Sequence, residues 1–167
     1  MVKRILLIIL IITFLLPKES ITTKSNNIDN RKQDAMIGKI VIPKINLNRP
    51  LFDIESEENT IEKNITILKE STFPEHKNSI MIIAAHSGTG EIAYFNELDK
   101  LTEDDKIVLI IKNKKYNYIV NEIWEERKNG YININKSNKR QLILTTCSPT
   151  KTNYQLVINC IEKDVSN

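Results

Sequence analysis

The chain has 167 residues and a formal net charge of +3, room for one domain with an appended segment. Hydrophobic residues make up 41% and charged residues 27%, which excludes a disordered chain. With only four glycines and five prolines, collagen-like and low-complexity classes are excluded as well. Lys3, Arg4, Lys18 and Glu19 put +2 in the first 20 residues and leave +1 for the rest. Nucleic-acid binding needs a concentrated basic face, and none is visible.

In chain order, Lys3 and Arg4 precede an uncharged apolar run, Ile5 to Leu16, closed by Pro17 and Lys18. This is the pattern of an export signal. The run is shorter than the roughly 20 residues of a full span, yet no small-x-small cleavage site follows it. Residues 1–18 are therefore expected to be an uncleaved signal-anchor, a transmembrane segment, with a cleaved signal peptide as the alternative. Positive charge before the run keeps the N-terminus inside and the remainder outside. Residues 19–35 are polar and aperiodic and read as a tether. Residues 36–163 read as the folded domain.

That domain is expected to be all-β. Ile37–Ile42 is strand-like and halts at Pro43, and Leu51–Ile54 is a short candidate. Glu57–Leu68 places Ile61, Ile65 and Leu68 on one face of a short helix. Ser79–Ala85 is a nearly continuous apolar run, hence a buried central strand. Tyr94, Leu98 and Leu101 suggest a second short helix. Lys106–Lys112 and Lys115–Ile123 flank Asn113-Lys114, a hairpin signal. Tyr131–Ile134 alternates, and Gln141–Cys147 and Tyr154–Ile161 are two more strands around a Ser-Pro loop. About eight short strands with two minor helices predict a barrel or sandwich.

Reactive side chains are scarce: two histidines, His76 and His86, and two cysteines, Cys147 and Cys160. Export first suggests a disulfide. In an antiparallel hairpin of the last two strands, however, Cys147 lies opposite Tyr154 near the loop, and Cys160 lies opposite about Gln141. Six residues at ~3.4 Å each separate them by roughly 20 Å, far beyond the ~7 Å limit for a bridge. Free thiols are predicted. Cys160 sits inside an apolar strand and reads as a small core residue. Cys147 ends a strand before Ser148-Pro149, and His86 ends another before Ser87-Gly88-Thr89-Gly90. Strand ends expose side chains, so a Cys–His nucleophile pair is one reading. A structural histidine and an inert cysteine are the other. Without C-x-x-C or a second histidine at ligand spacing, a metal site is weaker, and a thiol oxidoreductase lacks its resolving thiol.

Several segments in order then resemble the sortases, membrane-anchored cysteine transpeptidases of Gram-positive bacteria. Leu142-Ile-Leu-Thr-Thr-Cys147 is similar to the sortase strand ending in T-x-T-C. Ile82-Ile-Ala-Ala-His-Ser-Gly88, followed by Ala93-Tyr-Phe-Asn-Glu-Leu98, resembles the family's histidine segment. Gly38-Lys-Ile-Val-Ile-Pro-Lys44 resembles its opening strand. The resemblance covers about residues 36–163. It implies a closed β-barrel of seven or eight strands. It further implies that Cys147 attacks the Thr carbonyl of a Leu-Pro-x-Thr-Gly-like sorting signal, that His86 protonates the departing amine, and that an amine from a cell-wall precursor or a pilin lysine resolves the thioester. The implied partners are surface proteins bearing that signal, and the implied location is the cell membrane with the catalytic domain outside. No cofactor is implied.

One departure stands out. Sortases carry an arginine on the last strand about eight residues after the cysteine, and here Gln155 occupies that slot. Its amide donates hydrogen bonds without charge, and charge-assisted bonds are roughly twice as strong. A catalytically impaired sortase-like module and a cysteine hydrolase on the same scaffold are the alternatives. Arg127 and Arg140 read as solvated surface charge, His76 as a surface residue and Trp124 as core or rim. Glu103-Asp104-Asp105 offers carboxylates for Ca²⁺, with a solvated turn as the plainer reading. The short interval from Ile123 to Gln141 and the absence of a long lid segment before Gly38 suggest a compact class A, D or E organisation.

Overall fold

The structure is a computed structural model, and it describes residues 36–163. The expected signal-anchor and tether lie outside the described residues. Eight strands form one sheet: β1 (Met36–Ile42), β2 (Leu47–Phe52), β3 (Thr66–Ile67), β4 (Ile80–Ala84), β5 (Lys106–Ile111), β6 (Lys114–Arg127), β7 (Gln141–Cys147) and β8 (Tyr154–Glu162). Their order is β2-β1-β5-β6-β8-β7-β4-β3. The outer strands β2 and β3 touch without ladder bonds, so the sheet curls into a nearly closed barrel. All pairings are antiparallel except β4 with β7, which run parallel.

Isoleucine and leucine at every second strand position fill the barrel. Ile40 and Ile42, Ile107, Leu109 and Ile111, and Tyr116, Tyr118 and Val120 all point inward, the period-2 signature of a half-buried strand. Strand β4 is buried on both faces. Met81 and Ile83 enter the main core, while Ile82 joins Ile143 and Val157 in a smaller outer cluster. Trp124, Ile132 and Ile134 cover that cluster.

The opening strand carries Gly38 for a steric reason. A Cβ there would lie 1.8 Å from the Ile110 carbonyl oxygen of β5, so only glycine allows the two backbones to approach. Between β5 and β6 the turn falls on Lys112 and Asn113, one residue earlier than expected. Both have positive φ, 48° and 65°, as a type I′ hairpin requires. Strand β6 then runs four residues beyond its expected end at Ile123, past an irregularity between Val120 and Glu122.

Three sequence expectations fail. Residues 57–64 form turns and Thr66–Ile67 the short strand β3, not a helix, because polar side chains compete with the helical backbone. Asn59 bonds both the N–H (2.8 Å) and the carbonyl (3.0 Å) of Ile67, and Ser56 takes the Glu58 N–H. Ile65 and Ile67 enter the core at strand spacing instead. The second helix shrinks to a 3₁₀ turn at Leu98–Lys100, since the buried residues are Phe95, Leu98 and Leu101, three apart as in a 3₁₀ helix. Another 3₁₀ turn, Pro43–Ile45, follows β1. Tyr131–Ile134 is irregular: the Tyr131 carbonyl accepts from Gln155, and Asn133 is held by Glu126, so side chains replace a ladder.

Candidate active site

Parallel pairing puts the C-terminal ends of β4 and β7 on one rim of the barrel. Ala84 pairs with Thr145, so His86 and Cys147 leave the two strands side by side. The two threonines before the cysteine fasten this end. Thr145 Oγ1 donates to the Leu156 carbonyl of β8 (3.0 Å), and Thr146 Oγ1 donates to the Ala85 carbonyl beyond β4 (2.8 Å). Both hydroxyls are buried and satisfied, and each bond crosses to a different neighbouring segment. Ser87 Oγ donates to the Cys147 carbonyl at 3.2 Å and closes the clasp.

The histidine is fixed from its other side. The His86 carbonyl accepts from the N–H of Phe95 (2.9 Å), whose ring is in the core. The Asn96 side chain takes the Gly88 N–H at 3.0 Å. Gly88 and Gly90 have φ of 114° and 148°, values that let the chain turn sharply beside the imidazole.

Between these ends lies a cleft of about 210 Å³. Ile61, Ala84 and Ala85 supply apolar wall, and His86, Cys147, Gln155 and Lys128 supply the reactive and polar groups. All three residues singled out from the sequence for this site therefore share one cavity. Cys147 is half-buried and unbridged, as is suitable for a nucleophile, and His86 is half-buried. The Glu62 carboxyl is held below the usual carboxylate range by the Thr60 hydroxyl, then by its own backbone N–H, with a smaller contribution from the charge of His86. Burial pushes the Cys160 thiol far up, so it stays protonated and inert. In the ladder Cys147 faces Gln155 and Leu142 faces Cys160, one residue off the expected register. The thiols remain at opposite ends of the hairpin, both free.

That register sets Gln155 directly across from Cys147. Its amide nitrogen, however, donates to the Tyr131 carbonyl (2.9 Å) and to Glu126 (3.2 Å). A different donor reaches the sulfur: Lys128 Nζ lies 2.8 Å from Cys147 Sγ. Sequence reasoning missed Lys128 because it ended the preceding strand at Ile123, and nothing in the local sequence sets this lysine apart. Beyond the cysteine, Glu125 braces the loop. It accepts from Ser148, Thr150 and Lys151, and these contacts, Ser148 first and Lys151 next, lower its carboxyl despite a small opposing effect of burial.

The two arginines read as solvated charge behave differently. Arg140 is half-buried in a 2.7 Å ion pair with Glu162, while Arg127 lies exposed over the Tyr154 ring. His76 is exposed, and Trp124 sits at the rim of the outer cluster. In the acidic turn, Asp105 is engaged by Lys44 at 2.7 Å and by Thr102. Among the described residues no three His, Cys, Asp or Glu side chains cluster as a metal site would require.

The structure is thus a curled eight-stranded β-barrel with a cysteine and a histidine at the ends of adjacent parallel strands. The Sortase domain model matches residues 40–162, and the chain belongs to the sortase family. It is 24% identical over 118 residues to Sortase A of Bacillus anthracis, covering 71% of this chain and 55% of that protein. The chain thus spans about half the length of this curated relative. In fold it is similar to a lid mutant of sortase A from Corynebacterium diphtheriae (TM-score 0.71, 24% identity, covering 83% of this chain and 75% of that one). It is also similar to Clostridium perfringens sortase C with the C-terminal cell wall sorting motif (TM-score 0.68, 26% identity, 80% and 73% covered).

Proposed function

We propose that the protein is a membrane-anchored transpeptidase that cleaves an LPxTG-like sorting signal after Thr and joins the surface protein to an amine of the cell wall or of a pilin. The observation that carries the reading is the pairing of Cys147 with His86 at the ends of β7 and β4, in one cleft with an apolar wall. The Cys147 thiolate attacks the Thr carbonyl carbon; the S–C bond forms as the carbonyl electrons move onto oxygen. Collapse of that intermediate breaks the C–N bond, and the departing amine takes a proton from the His86 imidazolium. The neutral imidazole then accepts a proton from the incoming amine, which displaces the thiolate. Splitting the exchange through a thioester lets an amine compete with water.

The apolar wall of Ile61, Ala84 and Ala85 suits the Leu-Pro portion of such a signal. The Clostridium perfringens relative, described with the C-terminal cell wall sorting motif, supports the same substrate class. The signal-anchor reading of residues 1–18 places the domain outside the membrane, where both signal and acceptor are found. No cofactor is needed by this chemistry. The helix-free connection from Lys128 to Arg140 favours a compact class A, D or E organisation.

The test uses the full chain in detergent with Leu-Pro-x-Thr-Gly and Asn-Pro-x-Thr-x peptides, with and without triglycine or a lysine-bearing acceptor. Mass spectrometry should find a thioester on Cys147 and an amine-joined product. Cys147→Ala and His86→Ala should each cut turnover on the order of a thousandfold or more. Acylation followed only by hydrolysis, with every acceptor present, would assign a hydrolase instead.

A further inference from the structure

We propose that Lys128 is a catalytic residue: its ammonium is the active-site cation, holding the Cys147 sulfur as thiolate and then following the negative charge onto the carbonyl oxygen. Lys128 Nζ stands 2.8 Å from Sγ, inside the cleft that holds His86. It makes no ion pair with a carboxylate among the described residues. The other nearby cations are engaged elsewhere: Lys151 pairs with Glu125 at 2.9 Å, and Arg127 donates to the Tyr154 hydroxyl and lies over its ring. Gln155, directly across from Cys147, commits its amide nitrogen to Tyr131 and Glu126.

The backbone delivers Lys128 to this position. Strand β6 pairs with β8 as far as Arg127 opposite Tyr154, and the Lys128 N–H then donates to the Asn153 carbonyl at 2.9 Å. Lysine therefore starts from a fixed point and reaches across β8 to the sulfur of β7. An ammonium next to sulfur favours the thiolate over the thiol. When the S–C bond forms, charge leaves the sulfur for an oxygen two bonds away. The flexible stem of lysine can follow that shift, and a point charge in a partly enclosed cleft stabilises the oxyanion.

The oxyanion half of this role rests on the transpeptidase reading, whereas the thiolate half does not, so the two are tested separately. In the full chain, alkylation of Cys147 by iodoacetamide is followed across pH, with peptide mapping to locate the label. The reagent is neutral, so the ammonium does not attract it. Lys128→Ala and Lys128→Met should slow alkylation near neutral pH by about tenfold. Lys128→Arg should restore the rate. With sorting peptides, Lys128→Ala should lower kcat by about 10- to 100-fold with little change in KM. Alkylation of Lys128→Ala at the unaltered rate, or equal slowing in Lys128→Arg, would overturn the proposal. If no peptide acylates the unmodified chain, the transpeptidase reading fails and the alkylation series still decides the role of Lys128.

Discussion

At the residue scale, the position of Cys147 is defined by small polar groups more than by packing. Thr145, Thr146 and Ser87 each spend one hydroxyl on a carbonyl of a neighbouring segment. Thr146→Val leaves the Ala85 carbonyl without this donor and should destabilise the domain by about 1–3 kcal/mol, measured by urea denaturation. An unaltered midpoint would show that the clasp is dispensable. Glu125 acts on the following loop and is sensitive to acid. Its carboxyl titrates below that of an unfolded glutamate, so its contribution is complete above the unfolded value and is lost as pH falls through the lower folded one. Amide resonances of Thr150 and Lys151, whose N–H groups donate to Ser148 Oγ, should shift with an inflection below that of free glutamate. Glu125→Ala should abolish the inflection; its persistence in that variant would assign it to another group.

At the element scale, the close pairing of β1 with β5 depends on one residue. Gly38→Ala places a methyl against the rigid Ile110 carbonyl and should cost about 1–3 kcal/mol, read as a lower thermal midpoint. Equal stability of the variant would mean that the strands part without penalty. This strand, the apolar β4 run and the final hairpin were legible in the sequence, because their alternation or continuous apolar character has a single structural solution. So was the placement of Cys147 and His86 at strand ends, since both close apolar runs before turn residues. Residues 57–68 were misread because Ile61, Ile65 and Leu68 satisfy a helical period by coincidence, while Asn59 and Ser56 decide the outcome through side-chain bonds. Lys128 was illegible for a different reason. Its place beside Cys147 depends on how far β6 extends beside β8, and that length is set by pairing with a strand about 30 positions away.

At the scale of the whole molecule, the parallel contact of β4 with β7 has a temporal consequence. His86 and Cys147 are 61 positions apart in the chain, and everything between them must be laid down before they meet. A barrel dominated by such distant pairings folds in about milliseconds to seconds. Trp124, the sole tryptophan, packs against Ile82, Ile143 and Val157 of β4, β7 and β8, so its fluorescence reports the docking of these strands. On refolding from urea, the fluorescence change and recovery of the native alkylation rate at Cys147 should share one rate constant; two well-separated phases would contradict a common docking step. Until then the thiol is an ordinary cysteine with no histidine beside it. The cleft thus comes into being only on completion, so an unfinished or misfolded copy lacks the Cys147–His86 pair.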